Sequence, residues 1–180
     1  MRGMDVLSAF WSPLCAVGSH GPKGPNAQIC VSVFGASIVP DRPRVLVVLH
    51  KTNYTHELVE KAGTLAVTVL GDGQADLLEP LGLSSGRDGD KLDGLCYVTT
   101  EAGDPYFPGG AGMLDGEVLD AFDLGDATAF LTAVRSRETW EAAPLRWHEV
   151  KESIGEEFMA RWTEKSAREQ AAAREMMLWR

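Results

Sequence analysis

The chain has 180 residues, 44% of them apolar and 24% charged, with a formal net charge of -9. A chain of this length buries roughly 70% of the surface it exposes when unfolded, so it needs neither disulfides nor a structural metal to hold it together. Residues 72–126 carry 13 acidic and 2 basic side chains, whereas residues 1–71 carry 4 and 6, a balance that argues against nucleic acid and places an anionic ligand in the first part.

Phe10–Val17 reads as an opening strand, with Pro13 at an edge or entry position, and Gly18–Pro25 as a Gly/Pro loop. Ala27–Ser37 mixes β-branched, small and hydroxyl residues and reads as one strand. Arg44–Leu49 contains the apolar run VLVVL, the length of a buried strand. His50-Lys51-Thr52-Asn53-Tyr54-Thr55 then gathers a cation, hydroxyls and an amide at the start of a helix, His56–Ala62. Thr55 is its expected N-cap and Gly63 its stop. Unpaired N–H groups at a helix start suit a phosphate.

Thr64–Leu70 predicts a further strand, Gly73–Leu81 a short helix running into the loop LGLSSGRDGDK, and Leu95–Thr100 another strand. Asp104–Gly112 reads as loop. Met113–Phe122 and Ala127–Arg135 read as strands joined by a hairpin turn over Asp123–Asp126. From Arg146 the pattern changes: Trp147, Val150, Ile154, Phe158 and Trp162 recur every three or four residues, the spacing of one long or two consecutive packed helices. Strands first and helices last, without βαβ alternation, predict a mainly β fold, an antiparallel barrel with helices at its ends. The expected division is a barrel domain over 1–145 and a helical extension over 146–180, packed on the same domain or on a dimer partner, where Trp147, Trp162 or Trp179 would close the partner's ligand pocket.

Cys15, Cys30 and Cys96 are odd in number and far apart, which suits buried core positions in a reducing cytoplasm. His20, His50, His56 and His148 show no metal-ligand spacing, and no GxSxG elbow or dinucleotide-type GxGxxG loop is present. No apolar run approaches the ~20 residues of a membrane span, and the N-terminus lacks the features of a signal peptide.

Seven pieces occur in one order: a GPNA loop, a strand of small and hydroxyl residues, Pro40-x-x-Pro43 before an apolar strand, a Thr-containing loop opening a helix, TLAVTVL, a Gln-containing short helix, and Ser-Gly-x-x-x-Asp-Lys-Leu. Over about Leu14–Val134 this order resembles the flavin reductase-like family of FMN-binding split barrels. The resemblance implies a six-stranded antiparallel Greek-key split β-barrel, a homodimer, and one FMN per protomer, with FAD less expected. By the same resemblance Asn26 lies beside the flavin, and Ser32, Val33, Phe34, Gly35, Ala36 and Ser37 line its ring and ribityl chain. His50, Lys51, Thr52, Asn53 and Thr55 take the phosphate, with Lys51 the cation of that loop. Ser85, Gly86, Asp90 and Lys91 form a second loop near the cofactor.

Hydride addition to the flavin needs no side-chain acid or base, so no catalytic residue is expected. Many relatives carry Gly-Asp-His before the last strand, where the His helps receive nicotinamide. Here the turn reads Gly125-Asp126-Ala127. That departure leaves two electron donors open, NAD(P)H and a protein redox partner. The alternative reading is a non-catalytic FMN carrier.

Overall fold

In a computed structural model, which describes residues 5–177, Cys15–Gly21 (β1) and Gly24–Cys30 (β2) fold back on each other across the two-residue turn Pro22–Lys23. Gly24, at φ +111°, supplies the backbone conformation that an L side chain rarely adopts. Val33–Gly35 (β3), Arg44–His50 (β4), Thr64–Val69 (β5), Val98–Thr99 (β6), Pro105–Tyr106 (β7), Gly112–Asp123 (β8) and Ala127–Thr139 (β9) follow. Seven of these strands form one antiparallel sheet in the order β2-β1-β5-β8-β9-β4-β3, and β6 pairs with β7.

The sheet curls. Val17 of β1, Val47 and Leu49 of β4, Leu65 and Val67 of β5, and Phe130 of β9 meet in a single buried cluster, although β1 and β4 stand four strands apart. Register shifts at Asp115/Gly116 and Val118/Asp120 bend the long β8–β9 hairpin, as bulges do. The Val48 N–H donates to the Ser32 carbonyl (2.9 Å), bringing the end of β2 toward β4. The fold is therefore mainly β, a curled antiparallel half-barrel with flanking helices, as the sequence predicts.

The main sheet holds seven strands, not six. The expected strand Ala27–Ser37 breaks at Val31–Ser32, whose carbonyls accept from Ser12 (2.8 Å) and Val48 on two different segments. The expected loop Gly18–Pro25 is instead the β1–β2 hairpin. Gly18 is a glycine because Pro105 lies directly over it: a Cβ there would sit 2.1 Å from the Pro105 carbonyl oxygen. The opening strand begins at Cys15, after a 3-10 turn over Val6–Phe10 whose Leu7 N–H donates to the Asp5 carboxylate (3.1 Å). Leu95–Thr100 shrinks to the two residues of β6. Cys15 and Cys30 are buried as expected, but Cys96 is exposed.

Helix α1 spans Tyr54–Ala62 and stops at Gly63 (φ +69°). A 3-10 turn over Asp72–Leu77 leads into α2, Leu78–Leu83. The C-terminal pattern resolves into two helices, α3 (Trp147–Lys151) and α4 (Glu156–Met176), separated by Gly155 at φ +90°. Val150 and Phe158 join Leu14, Ala27, Leu78, Leu81 and Phe107 in a second buried cluster on the outer face of the sheet, with Trp147, Ile154 and Trp162 packed against it. The helical stripe read from sequence is thus a packing face. No helix among the described residues is long and apolar enough to cross a membrane.

His56 of α1 is 5% exposed and pairs through Nε2 with Thr128 Oγ1 at 2.8 Å. Burial holds its pKa below the ordinary histidine value, against the opposing charge of Glu60. With a depressed folded-state pKa, the unfolded chain binds the proton first as pH falls below about 6.5. Stability should therefore be lost on going from pH 7 to 5.5, and His56→Gln should flatten this part of the denaturant-unfolding profile.

Candidate functional site

β2 closes one end of the sheet order, so its outer edge carries backbone N–H and C=O groups outside any strand ladder. Along that edge runs a cavity of about 660 Å³. One side is built by Asn26, Gln28, Cys30 and Ser32. The N-terminal turn of α1 with His50, Thr52 and Asn53 forms one end, and the Ser84–Asp88 loop faces it. Trp147 and the inner face of α4 (Trp162, Lys165, Ser166, Glu169) form the remaining wall.

The two polar loops are tied together. Asn26 Nδ2 donates to Thr55 Oγ1 (2.7 Å), so Thr55 is buried and serves β2. It does not cap the helix: the N-cap position belongs to Asn53, which makes no side-chain capping bond. The His56 N–H donates to the Asn53 carbonyl (3.2 Å), which leaves the Tyr54 and Thr55 N–H groups at the start of α1 without a partner beside the cavity. Gly86 presses against the same Asn26, where a Cβ would come within 2.2 Å of Oδ1 and 2.8 Å of the Tyr54 ring. Arg87 spans the gap between the loops. Its Nη1 donates to the Thr52 carbonyl (2.8 Å), its Nη2 pairs with Glu57, and its guanidinium lies 5.6 Å from the Tyr54 ring centre. That hydrogen bond holds the Glu57 carboxyl below its usual range.

The expected residues divide into two groups. Asn26, Ser32, His50, Thr52, Asn53, Thr55, Ser85 and Lys91 converge on the cavity. Val33 instead packs into the inner core, and Phe34, Gly35, Ala36 and Ser37 lie exposed beyond the cavity of their own chain. Lys51 is also outside it. Its ammonium is 2.6 Å from Asp123 on the β8–β9 turn, which lowers that carboxyl's pKa.

Lys91 Nζ donates to the Leu81 and Ser84 carbonyls (3.1 Å each) at the end of α2. Burial pushes the ammonium down to about 8, with the nearby Lys165 charge adding to the effect and Glu169 opposing it. Asp90 stays exposed and accepts from the Leu92 N–H (3.0 Å). Ala127 is buried and pairs in register with His50, so an imidazole stands beside it on the neighbouring strand. His50 Nδ1 is 3.7 Å from Asp126 Oδ2.

Sequence reasoning missed Arg87, Gln28 and the charged part of the α4 wall. Arg87 directly follows the quoted Ser85-Gly86, and its charge in an otherwise acidic segment was the available signal. Gln28 looks like an ordinary strand residue, yet its buried Oε1 has no hydrogen-bond partner and it lines the cavity.

The sequence model of the flavin reductase like domain matches residues 7–152. The chain belongs to the flavin reductase-like family. Among curated relatives of this family member, a flavin reductase of Pseudomonas putida is 26% identical over 72% of this chain and 74% of its own length. A high molecular weight rubredoxin of Moorella thermoacetica is 28% identical over 70% of this chain, which spans 57% of that protein. Among solved structures, an NADH:FAD oxidoreductase of Streptomyces globisporus superposes with a TM-score of 0.68 at 26% identity, covering 75% of this chain and 80% of that one. An FMN-binding protein of Thermus thermophilus superposes at 0.67 and 25% identity, covering 77% of each.

Proposed function

We propose that this flavin reductase-like protein is an oxidoreductase that binds FMN along the β2 edge and passes electrons through it, with NAD(P)H as the donor. The carrying observation is the cavity itself, into which Asn26, Gln28, the open turn of α1 and Arg87 converge. Its volume falls within the ~300–1,000 Å³ of small-molecule sites. The residues fit a flavin nucleotide. Unladdered backbone groups of β2 and the unpartnered Gln28 Oε1 suit the polar edge of a flat ring, and the α1 turn with Arg87 suits a single phosphate.

When bound, a flavin supplies redox chemistry that no side chain here provides. The chain's own residues bind and orient. Arg87 and the α1 N–H groups fix the phosphate, and Asn26 holds Thr55 and Gly86 in place. The tryptophan-bearing wall excludes water. FMN is preferred to FAD on the likeness to the Thermus FMN-binding protein. The Streptomyces NADH:FAD oxidoreductase supports a nicotinamide donor.

A homodimer in the cytoplasm belongs to the same proposal. Phe34, Ile38, Val39, Leu119, Phe122 and Leu124 are large apolar side chains left exposed, and a second copy would cover them. Val33–Ser37 would then serve the dimer. The proposed division at residue 145 stands with this reading, with the C-terminal helices covering the cavity of their own chain. Trp179, also considered as a covering residue, lies outside the described residues.

The test is direct. The purified protein should show a flavin absorbance spectrum, mass analysis of the released cofactor should give FMN, and rapid mixing with NADH or NADPH should bleach it. A colourless protein that takes up neither FMN nor FAD would overturn the proposal. Slow reduction by both nucleotides would favour a carrier reduced by a protein partner.

A further inference from the structure

Helix α4 lies beyond the residues that the family model matches, yet it walls the cavity. Phe158, Trp162, Lys165, Ser166, Glu169 and Ala173 follow helical spacing along its inner face, and all but Phe158 line the cavity. The inner face is therefore aromatic at its start and charged further along. Trp162 seats the helix: its ring lies 4.8 Å from Trp147 and 5.7 Å from Phe158, and it leaves no room for a side chain at Gly82.

The charged part gathers three cations, of which Lys91 alone has no acidic partner among the described residues. Lys165, Arg168 and, across the cavity, Lys91 all line it, with Glu169 the acid on this stretch of α4. Glu169 pairs with Lys165, and Arg168 reaches only the exposed Glu164 at 3.5 Å. Lys91 has no carboxylate within ion-pair distance among the described residues. Two of its protons go to carbonyls and the third is free. A half-buried ammonium beside a second cation is costly unless an anion joins it, and the depression of the Lys91 pKa is the mark of that cost. This cluster is separate from Arg87, which is committed to the α1 loop.

We propose that Lys165 and Arg168 on α4, with Lys91 opposite, form a subsite for the phosphates of the second reactant, a pyridine dinucleotide. The proposal rests on the flavin reading above. It assigns to this chain's C-terminal helix the selection of the reactant that meets the flavin.

Calorimetric titration of the flavin-loaded protein with the oxidised dinucleotides NAD+ and NADP+, which carry the same phosphates but no hydride, and with inorganic phosphate tests it. Dinucleotide affinity should weaken several-fold between about 20 and 200 mM NaCl, and inorganic phosphate should compete. The double variant Lys165→Gln/Arg168→Gln should bind NAD+ or NADP+ at least about tenfold more weakly, the scale of lost charge-assisted contacts. Gln keeps a polar side chain at both positions, so the thermal midpoint should stay at the wild-type value, and affinities are compared at full flavin loading. Nucleotide affinity within twofold of wild type in that variant, no salt response, or no nucleotide binding at all would each overturn the subsite. A protein that takes up no flavin would overturn instead the function on which the subsite rests, so the two failures are distinct.

Discussion

Gly18→Ala should destabilise the protein by about 3 kcal/mol, the upper range for forcing an atom into a packed site. Gly18 sits in β1, paired with Ala27 of β2 on one side and Ala66 of β5 on the other, so its backbone is fixed from both directions. A Cβ would meet the Pro105 carbonyl oxygen at 2.1 Å and the proline ring at 2.7 and 2.8 Å. Pro105 cannot step back easily. On one side Asp104, fully buried, pairs with His20 at 2.7 Å, and on the other the Phe107 N–H donates to Thr68 Oγ1 at 3.0 Å. Thermal unfolding should show a drop of about 6–12 °C, taking ~2–4 °C per kcal/mol for a chain of this size. Gly89→Ala is the control, since its Cβ would meet nothing within 4 Å and the residue is exposed. It should leave the midpoint unchanged. Equal midpoints for wild type and Gly18→Ala would refute the account of why β1 carries that glycine.

The same glycine shows where sequence reading succeeds and where it stops. Gly and Pro clusters signal turns locally, and Gly18–Pro25 looked like a loop on that ground. The requirement at Gly18 comes from Pro105, 87 positions later in sequence, and nothing local announces it. The apolar runs in β4 and β5, the β8–β9 hairpin and the C-terminal stripe were legible because period and run length are local properties.

The site was legible in part for a related reason. Residues that approach the cavity from turns and strand ends, such as Asn26, His50, Thr52 and Ser85, stand in recognisable loop patterns. Val33–Ser37 did not converge with them, because the break at Val31–Ser32 turns β3 onto β4 and away from the cavity. The ion pair between Lys51 and Asp123 spans 72 positions, so a free-looking cation in sequence is already engaged in the fold. Of the α4 wall, Trp162 was legible from its helical spacing, but the charged, alanine-rich stretch after it reads as solvated surface until its inner face is seen against Lys91.

That exchange of cations gives the largest functional prediction. Arg87→Met should weaken FMN binding by about 10- to 100-fold, from the ~1.5–3 kcal/mol of a charge-assisted contact. Lys51→Met should change it by less than about threefold, because its partner is Asp123 and it lies outside the cavity. Riboflavin separates charge from shape: lacking the phosphate, it should bind Arg87→Met and wild type alike. Arg87 also braces the loops through Thr52 and Glu57, so loss of that brace is the competing explanation. Glu57→Gln decides between them. It removes the carboxylate that competes for the guanidinium but keeps a side chain able to accept its hydrogen bond, so FMN affinity should hold or tighten if Arg87 faces the phosphate. Equal weakening in Glu57→Gln and Arg87→Met, for FMN and riboflavin together, would reduce Arg87 to a structural brace and return the phosphate to the α1 turn alone.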